Sequence, residues 1–599
     1  MLDNFCGLRA CTEVESAAHC PRQLMRSAEP GQRAGAFISP LMGRLRVATL
    51  LLCLAPGGGC KHGPLEPPEA DAGFAADAAA PTDGGLSTDA GLGPKPGAWR
   101  DGVYYEVFVR SFADSDGDGI GDLRGLIAKL DTLNDGDPST DRDLGVTGLW
   151  LMPIHPSPSY HGYDVTDYQA VRPEYGSQAD LEALVAAAHQ RGMAVIIDFV
   201  LNHSSTAHPW FQASSASPSS PERGYYRWRA DDPGWTQPWG AGHVWHPLMG
   251  SYYYGIFWSG MPDLNLGNPA VEQKMVEAMR HWLGAGIDGF RVDAARHLFE
   301  SADGQLSDQA ESHALIRRMR SALEASFPQV LLVAEAWTDL ATVSTYYGQG
   351  DEFNLAFGFD TASALKTAAK DGLRASFNQV LAQAEQTYSD RGFEAPFLSN
   401  HDMPRVQREL AGDSGAMRVA AAALFSLPGT PFLYYGEEIG MLGGPATKDE
   451  DKRTPMRWTA EEPNHGFTVA GRAPWYAGTE AAGVDVESQR GAPGSLWTLY
   501  RDLIRTRRGS PALSHGTASR PAVTGGGRGG AALLRTAGDE RVLFLVNFAA
   551  QASGPIDVAA GGVPTVLFAE GLSGTPSSSA GQVHLEGLAA RGFAFVKLQ

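Results

Sequence analysis

From residue 99 onward, short apolar runs recur eight times with helical segments between them, and this alternation constrains the fold more than any other feature of the chain. The runs are VYYEVFVRSF (103–112), VTGLWLMPI (146–154), AVIIDFV (194–200), GFRVDA (289–294), VLLVAEAW (330–337), FNLAFGF (353–359), EAPFLSNHD (394–402) and TPFLYYGEEIG (430–440). Between several of them lie amphipathic stretches such as QADLEALVAAAHQRG (178–192) and NPAVEQKMVEAMRHWLGAG (268–286), each closed by glycine as a helix C-terminus is. Eight strands with intervening helices read as an α/β fold, a (β/α)8 TIM barrel, although the periodicity alone also allows a doubly wound sheet.

Two segments break the alternation. Residues 204–267 are crowded with aromatics and lack regular helical spacing, which reads as an inserted domain after the third strand. After about residue 512, short strand-like runs separated by Gly, Pro and Ser indicate a C-terminal all-β sandwich over 513–599. The barrel is therefore expected over 99–203 and 268–512.

The N-terminal tenth is different. Residues 42–60, MGRLRVATLLLCLAPGGGC, place two arginines before a short apolar run, the order of a secretory signal and too short to span a bilayer. The run ends at Cys60, which resembles the acylated cysteine of bacterial lipoproteins, an ordinary cleaved secretory signal being the alternative. Residues 1–41 carry no periodic pattern, and Met42 is the expected true start of translation. Residues 61–98 are rich in Ala, Asp, Gly and Pro and lack the apolar surface to order themselves, so a tether is expected there. An anchor followed by a tether implies an extracytoplasmic place, secreted or held at the cell envelope. All five cysteines lie at or before Cys60, so neither disulfides nor thiolate metal sites are available to the main body. A formal net charge of −20 disfavours nucleic acid as a partner and suits a neutral substrate.

Polar residues cluster where the strands end, the place where a barrel keeps its reactive groups. The third run ends in Asp198, Asn202 and His203, and the fourth contains Arg291 and Asp293. The fifth carries Glu335, and the seventh ends in Asn400, His401 and Asp402. In a strand, residues two apart share a face, so Arg291 and Asp293 should lie side by side with Phe290 and Val292 turned away. A structural ion pair is one account of that pair. The other is that Asp293, Glu335 and Asp402 converge in one mouth, where like charges raise one another's proton affinity while Arg291 keeps Asp293 ionised. One carboxyl acid and one carboxylate are what glycoside cleavage requires.

The segments DFVLNH (198–203), GFRVDAARH (289–297), AEAW (334–337) and FLSNHD (397–402) resemble, in order, the four signature segments of the α-amylase family, glycoside hydrolase family 13, and MPDLN (261–265) resembles its fifth. The resemblance implies a barrel with an inserted domain B and a C-terminal β-domain. It implies Asp293 as nucleophile, Glu335 as general acid/base and Asp402 as the third carboxylate. It further implies Tyr163 as the platform under the sugar and His203, Arg291, His297 and His401 as substrate-binding residues, with a retaining mechanism. MPDLN mixes features of the oligo-1,6-glucosidase and neopullulanase branches, a mixture that resembles the intermediate subfamily. Exo-acting relatives carry an aspartate three residues before the platform tyrosine; here the residue is Tyr160.

DSDGDGIGD (114–122) sets hard oxygen donors at alternate positions, so Asp114, Asp116, Asp118, Asp122 and the Ile120 carbonyl are the expected ligands of a structural Ca2+, a solvated acidic turn being the plainer alternative. No organic cofactor is expected. The expected activity is hydrolysis of α-1,4-glucosidic bonds in starch-like glucans and maltooligosaccharides. The alternatives are an exo-acting α-glucosidase or 4-α-glucanotransferase with the same residues, and a glucan-binding lipoprotein without catalysis, against which the three carboxylates argue.

Overall fold

The computed structural model describes residues 98–388, 393–478 and 480–599. The signal-like segment, Cys60 and the tether up to residue 97 lie outside them.

Eight parallel strands form one sheet: β1 Tyr104–Val107, β2 Gly148–Leu151, β3 Ala194–Phe199, β4 Gly289–Val292, β5 Leu331–Ala334, β6 Leu355–Phe357, β7 Phe393–Ala395 and β8 Phe432–Tyr434. Neighbours run β7-β6-β5-β4-β3-β2-β1-β8. The ring is closed by backbone bonds, with Thr430 N–H donating to the Glu394 carbonyl and Phe432 N–H to that of Pro396, both 2.9 Å. The barrel expectation holds, and the doubly wound alternative falls because each strand but the closing pair has its sequence neighbour beside it.

The period of two explains both sides of the wall. Ala194 and Ile196 of β3 point inward with Tyr104, Trp150, Leu331, Val333, Phe357 and Phe432, which fill the barrel. Val195, Ile197 and Phe199 of the same strand point outward into the layer shared with the helices. The Tyr104 ring needs its space. A Cβ at Gly148, its register partner on β2, would lie 2.4 Å from that ring.

The strands are shorter than the apolar runs that announced them. The first run leaves the sheet after Val107 and turns through a short 3-10 segment, Val109–Ser111. The seventh stops at Ala395 because Pro396 brings no N–H to the ladder. Beyond each short strand the chain continues as loop into the mouth of the barrel, as far as Asp402 in the seventh run.

Within 204–267 the structure has a helix, Pro209–Ala216, and a small antiparallel sheet of Trp228–Arg229, Ser251–Tyr254 and Trp245–Leu248. The MPDLN segment pins this insertion to the end of β3. Leu264 N–H donates to the Asn202 carbonyl at 2.9 Å, and Ser204 N–H to that of Pro262 at 3.1 Å. Beyond residue 516 the chain forms two antiparallel sheets of five and four strands around a shared apolar core of Leu543, Leu545, Val583, Leu585 and Val596.

Candidate active site

Arg291 is the fixed point of the mouth. It is the inward residue near the end of β4, its register partner on β3 is Asp198, and it is 1 % exposed. A buried guanidinium is tolerated only where acceptors surround it, and here there are three. Nη1 lies 2.9 Å from Asp198 Oδ1 and 2.5 Å from Asp293 Oδ1, and Nη2 lies 3.0 Å from Glu335 Oε2. Asp293 sits one residue past β4 and Glu335 one past β5. One planar fork thus holds both carboxyls. The turn after Asp293 is tight. Ala294 takes a left-handed backbone, φ 52°, and its N–H donates to Glu335 Oε2 at 2.8 Å. Strain of that kind persists where neighbours fix it.

Arg291 does not keep Asp293 in the ordinary carboxylate range. Burial outweighs the arginine, Asp198 adds repulsion, and the Asp293 carboxyl is pushed up to about 6. The guanidinium is divided among three carboxylates, and the expectation of a fully ionised Asp293 had assigned it to one. Glu335 is pushed up to about 7, chiefly by burial, with Arg291 opposing and Asp293 and Asp402 adding to the rise. Asp402 goes the other way. Burial works against its charge, but His401, Arg453 and Arg291 hold it well below the usual range.

His401 stands at the centre of the second half of the site. Its Nδ1 is 2.6 Å from Glu106 Oε1, and its Nε2 is 3.0 Å from Asp402 Oδ2 and 2.6 Å from Tyr163 Oη. The Tyr163 ring stacks on the imidazole, 5.4 Å between centroids and 14° apart, and its hydroxyl donates to Asp198 Oδ2 at 2.9 Å. Arg453 donates from Nη2 to Asp402 Oδ1 and from Nη1 to the Tyr160 hydroxyl, both 3.1 Å. Tyr160 is half-buried, its ring parallel to Trp475 at 5.3 Å.

The two remaining histidines differ. His203 is buried against Phe257, kept neutral by burial with its pKa down to about 3, and its Nε2 has no protein partner. His297 Nδ1 donates to the Leu306 carbonyl at 2.9 Å, and the preceding Arg296 forks onto Asp308. Both therefore tie down the loop 298–309, a use of His297 that the substrate-binding expectation did not contain. Sequence reasoning also passed over Glu106 and Arg453. Glu106 was detectable as the lone carboxylate on the inward face of an apolar strand. Arg453 lies in a loop with no periodicity and gave no signal.

In the acidic loop, carboxylate oxygens of Asp114, Asp116 and Asp122 lie within 4.8 Å of one another, the only such group among the described residues. Asp118 is not among them. Its Oδ1 accepts the Ile120 N–H at 2.7 Å. The three oxygens are a hard donor set that fits Ca2+.

A closed parallel barrel that gathers three carboxyls of unequal proton affinity at the ends of its strands, beside a domain inserted after β3, is the architecture of a barrel glycosidase. The family description "Alpha amylase, catalytic domain" matches residues 106–516. Alpha-amylase 3 of Dictyoglomus thermophilum is 36% identical over 426 residues, 70% of this chain and 80% of the relative. The trehalose synthase/amylase TreS of Mycobacterium tuberculosis is 36% identical over 473 residues, 70% of this chain and 77% of its own. The crystal structure of an α-amylase from H. orenii superposes with a TM-score of 0.74 at 39% identity, covering 83% of this chain and 99% of that one. The chain belongs to the α-amylase family of glycoside hydrolases and transglycosylases.

Proposed function

We propose that the protein is a retaining hydrolase of α-1,4-glucosidic bonds in starch-like glucans and maltooligosaccharides, cutting within the chain. The observation that carries the retaining chemistry is the single Arg291 guanidinium that contacts both Asp293 and Glu335, which keeps the two carboxyls near one another as a nucleophile and an acid/base need. Asp293 attacks the anomeric carbon while Glu335, still protonated, gives its proton to the departing glycosidic oxygen. Glu335 then takes a proton from water, which displaces Asp293 from the sugar. Asp402 stays ionised throughout and holds sugar hydroxyls together with His401 and the unpartnered Nε2 of His203.

Internal cleavage is supported by Tyr160. Its hydroxyl is taken by Arg453 and its ring stacks on Trp475, an aromatic pair that suits a further glucose unit better than the grip of a chain end. Ca2+ at Asp114, Asp116 and Asp122 would brace the loop that succeeds β1. The extracytoplasmic place and the acylation of Cys60 rest on the sequence of residues 42–60. Mass spectrometry of the mature protein from the envelope fraction tests both.

The test of the activity is a product time course on maltoheptaose and on a maltooligosaccharide blocked at its non-reducing end. Cleavage of the blocked substrate into mid-length products is the expected result. Release of glucose from the free substrate alone turns the assignment to an α-glucosidase, and products longer than the substrate turn it to a glucanotransferase.

A further inference from the structure

Two carboxylates in the mouth take no part in the proposed reaction. Asp198 is the shared partner of Arg291 and Tyr163. Glu106, inward on β1 and 1 % exposed, faces His401. The surroundings of that imidazole determine its state. Nδ1 faces Glu106 Oε1 at 2.6 Å. Nε2 faces Asp402 Oδ2 at 3.0 Å and Tyr163 Oη at 2.6 Å. The Tyr163 proton is directed to Asp198 Oδ2, so its oxygen is the acceptor of the His401 bond. Every partner of both nitrogens is an acceptor, and a ring nitrogen that faces an acceptor must carry hydrogen.

We infer that Glu106 is a positioning residue for the glycosidic reaction: it holds His401 doubly protonated, and the charged ring in turn keeps Asp402 and Tyr163 in place around the sugar. The inference rests on the hydrolase reading. Without the charge of Glu106, burial favours the neutral ring. Its remaining proton would stay on Nδ1, and Nε2 would turn a lone pair toward the Asp402 carboxylate and the Tyr163 oxygen at once. The other charged or titratable groups around the pair are Asp198 on β3, Arg291 on β4, Tyr434 on β8, and Arg453, whose Nε donates to the His401 carbonyl at 3.0 Å. The edge of Trp150 from β2, 5.7 Å away, completes the enclosure. In this setting burial opposes the imidazolium, but Asp402 and Glu106 together raise His401 to about 9.

Glu106→Gln separates charge from hydrogen bonding, because the amide oxygen can still accept from Nδ1. With imidazole-labelled enzyme and no glucan present, NMR of His401, assigned by its loss in His401→Asn, should show no titration between pH 6 and 8 in the wild type. In Glu106→Gln the midpoint should fall into that window, a drop of at least about one unit. On maltoheptaose, the ratio of variant to wild-type kcat/KM should fall a further ~10-fold from pH 6 to pH 8. Glu106→Asp, which restores the charge, should return the wild-type titration. A wild-type His401 that titrates below pH 7 overturns the inference. So does an unshifted His401 in Glu106→Gln, or a loss of activity by one factor at every pH, which is what mere structural damage gives. If the wild type leaves maltoheptaose intact, the hydrolase reading fails, while the titration of His401 still decides the state Glu106 imposes.

Discussion

Arg291 donates to Asp293 across 2.5 Å, from inside β4 to the residue just past its end, while the same guanidinium reaches Glu335 at 3.0 Å. The pair is the hinge of the site, because one guanidinium holds the Asp293 carboxyl and the second carboxyl that stands with it. The ion pair is present as the structural account had it, and the same guanidinium gathers the second carboxyl, although it does not hold Asp293 in the ordinary carboxylate range.

Asp293→Asn keeps the shape and a hydrogen-bond partner for Arg291 but cannot attack carbon. The kcat should fall by at least about 10^3-fold, with folding and glucan affinity little changed. Steady-state kinetics on maltoheptaose, with binding measured by calorimetry, checks this. Retention of more than a few per cent of activity in contaminant-free enzyme removes Asp293 from the nucleophile's place.

The pH profile should be a narrow bell. Asp293 must be ionised, and burial has raised its carboxyl to about 6, so activity rises with pH through that value. Glu335 must be protonated, and burial has raised it to about 7, so activity is lost as pH rises through 7. Arg291→Lys retains a charge but not the fork, so both limbs should move and kcat should fall by about 10^2-fold. A wild-type profile flat from pH 4 to 9 is incompatible with these roles.

The barrel, its insertion and the three carboxyls could be read from the sequence because they obey short-range rules. The alternation of β4 set Arg291 and Asp293 on one face and Phe290 and Val292 on the other without knowledge of the partners, and Phe290 and Val292 do lie in the layer shared with the helices. Strand ends could not be read that way, since the apolar runs continue into loops that are also buried, as Tyr435 and Ile439 are. Nor could proton affinities. The state of Asp293 depends on burial and on Asp198 and Asp402, which join it only through the fold. Arg453, 51 residues beyond Asp402, meets it through closure of the barrel.

Stability should decline above neutrality. Burial raises Glu335, Glu394 and Glu438 to about 7 and Glu437 to about 8, so the folded chain binds more protons than the unfolded one up to those values. Rising pH removes that advantage. Buried His155, His203 and His297, lowered to about 3, 3 and 4, act oppositely but only below the ordinary histidine range. The two sets offset one another up to about pH 6.5; above it the raised carboxyls remain, joined by His401, raised to about 9 and acting in the same direction. The Tm should therefore fall between pH 6.5 and 8.5, as scanning calorimetry would show. A Tm that climbs across that interval contradicts the burial of these glutamates.

Chelation should lower the Tm by at least about 3 °C if the loop after β1 holds Ca2+, because a ligand of the native state alone stabilises it by mass action. Asp114 and Asp122 also accept backbone N–H groups of Gly117 and Gly125, so their loss would destabilise the loop with or without a metal. Asp116 is exposed, and its side chain accepts only the Asp118 N–H among the described contacts. Asp116→Asn should erase the effect of chelator while leaving the Tm of the chelated protein where it was. A Tm indifferent to chelator and to added Ca2+ assigns 114–122 to a solvated turn.

On the proposed hydrolase reading, Tyr160 is the residue whose replacement should separate internal cleavage from attack on chain ends. Arg453 fixes its hydroxyl at 3.1 Å, and Phe108 meets the ring edge-on while Trp475 lies parallel to it. The result is an apolar surface beside Asp402, which the same arginine holds. A glucan running past the cleaved unit can rest a sugar face on such a ring, a contact of about 0.5–1.5 kcal/mol. Tyr160→Asp replaces it with an acceptor facing Arg453 and able to take the hydroxyls of a terminal glucose. Action on starch should fall about 3- to 10-fold, the equivalent of that contact, while kcat/KM for p-nitrophenyl glucoside should rise. Tyr160→Phe keeps the ring, loses only the Arg453 bond, and should retain the starch preference. If both activities of Tyr160→Asp fall together with its Tm, Tyr160 is packing for Trp475 and Phe108. If the wild type already prefers the short substrate by kcat/KM, the mouth is closed at this end by something other than residue 160, and the enzyme is an α-glucosidase.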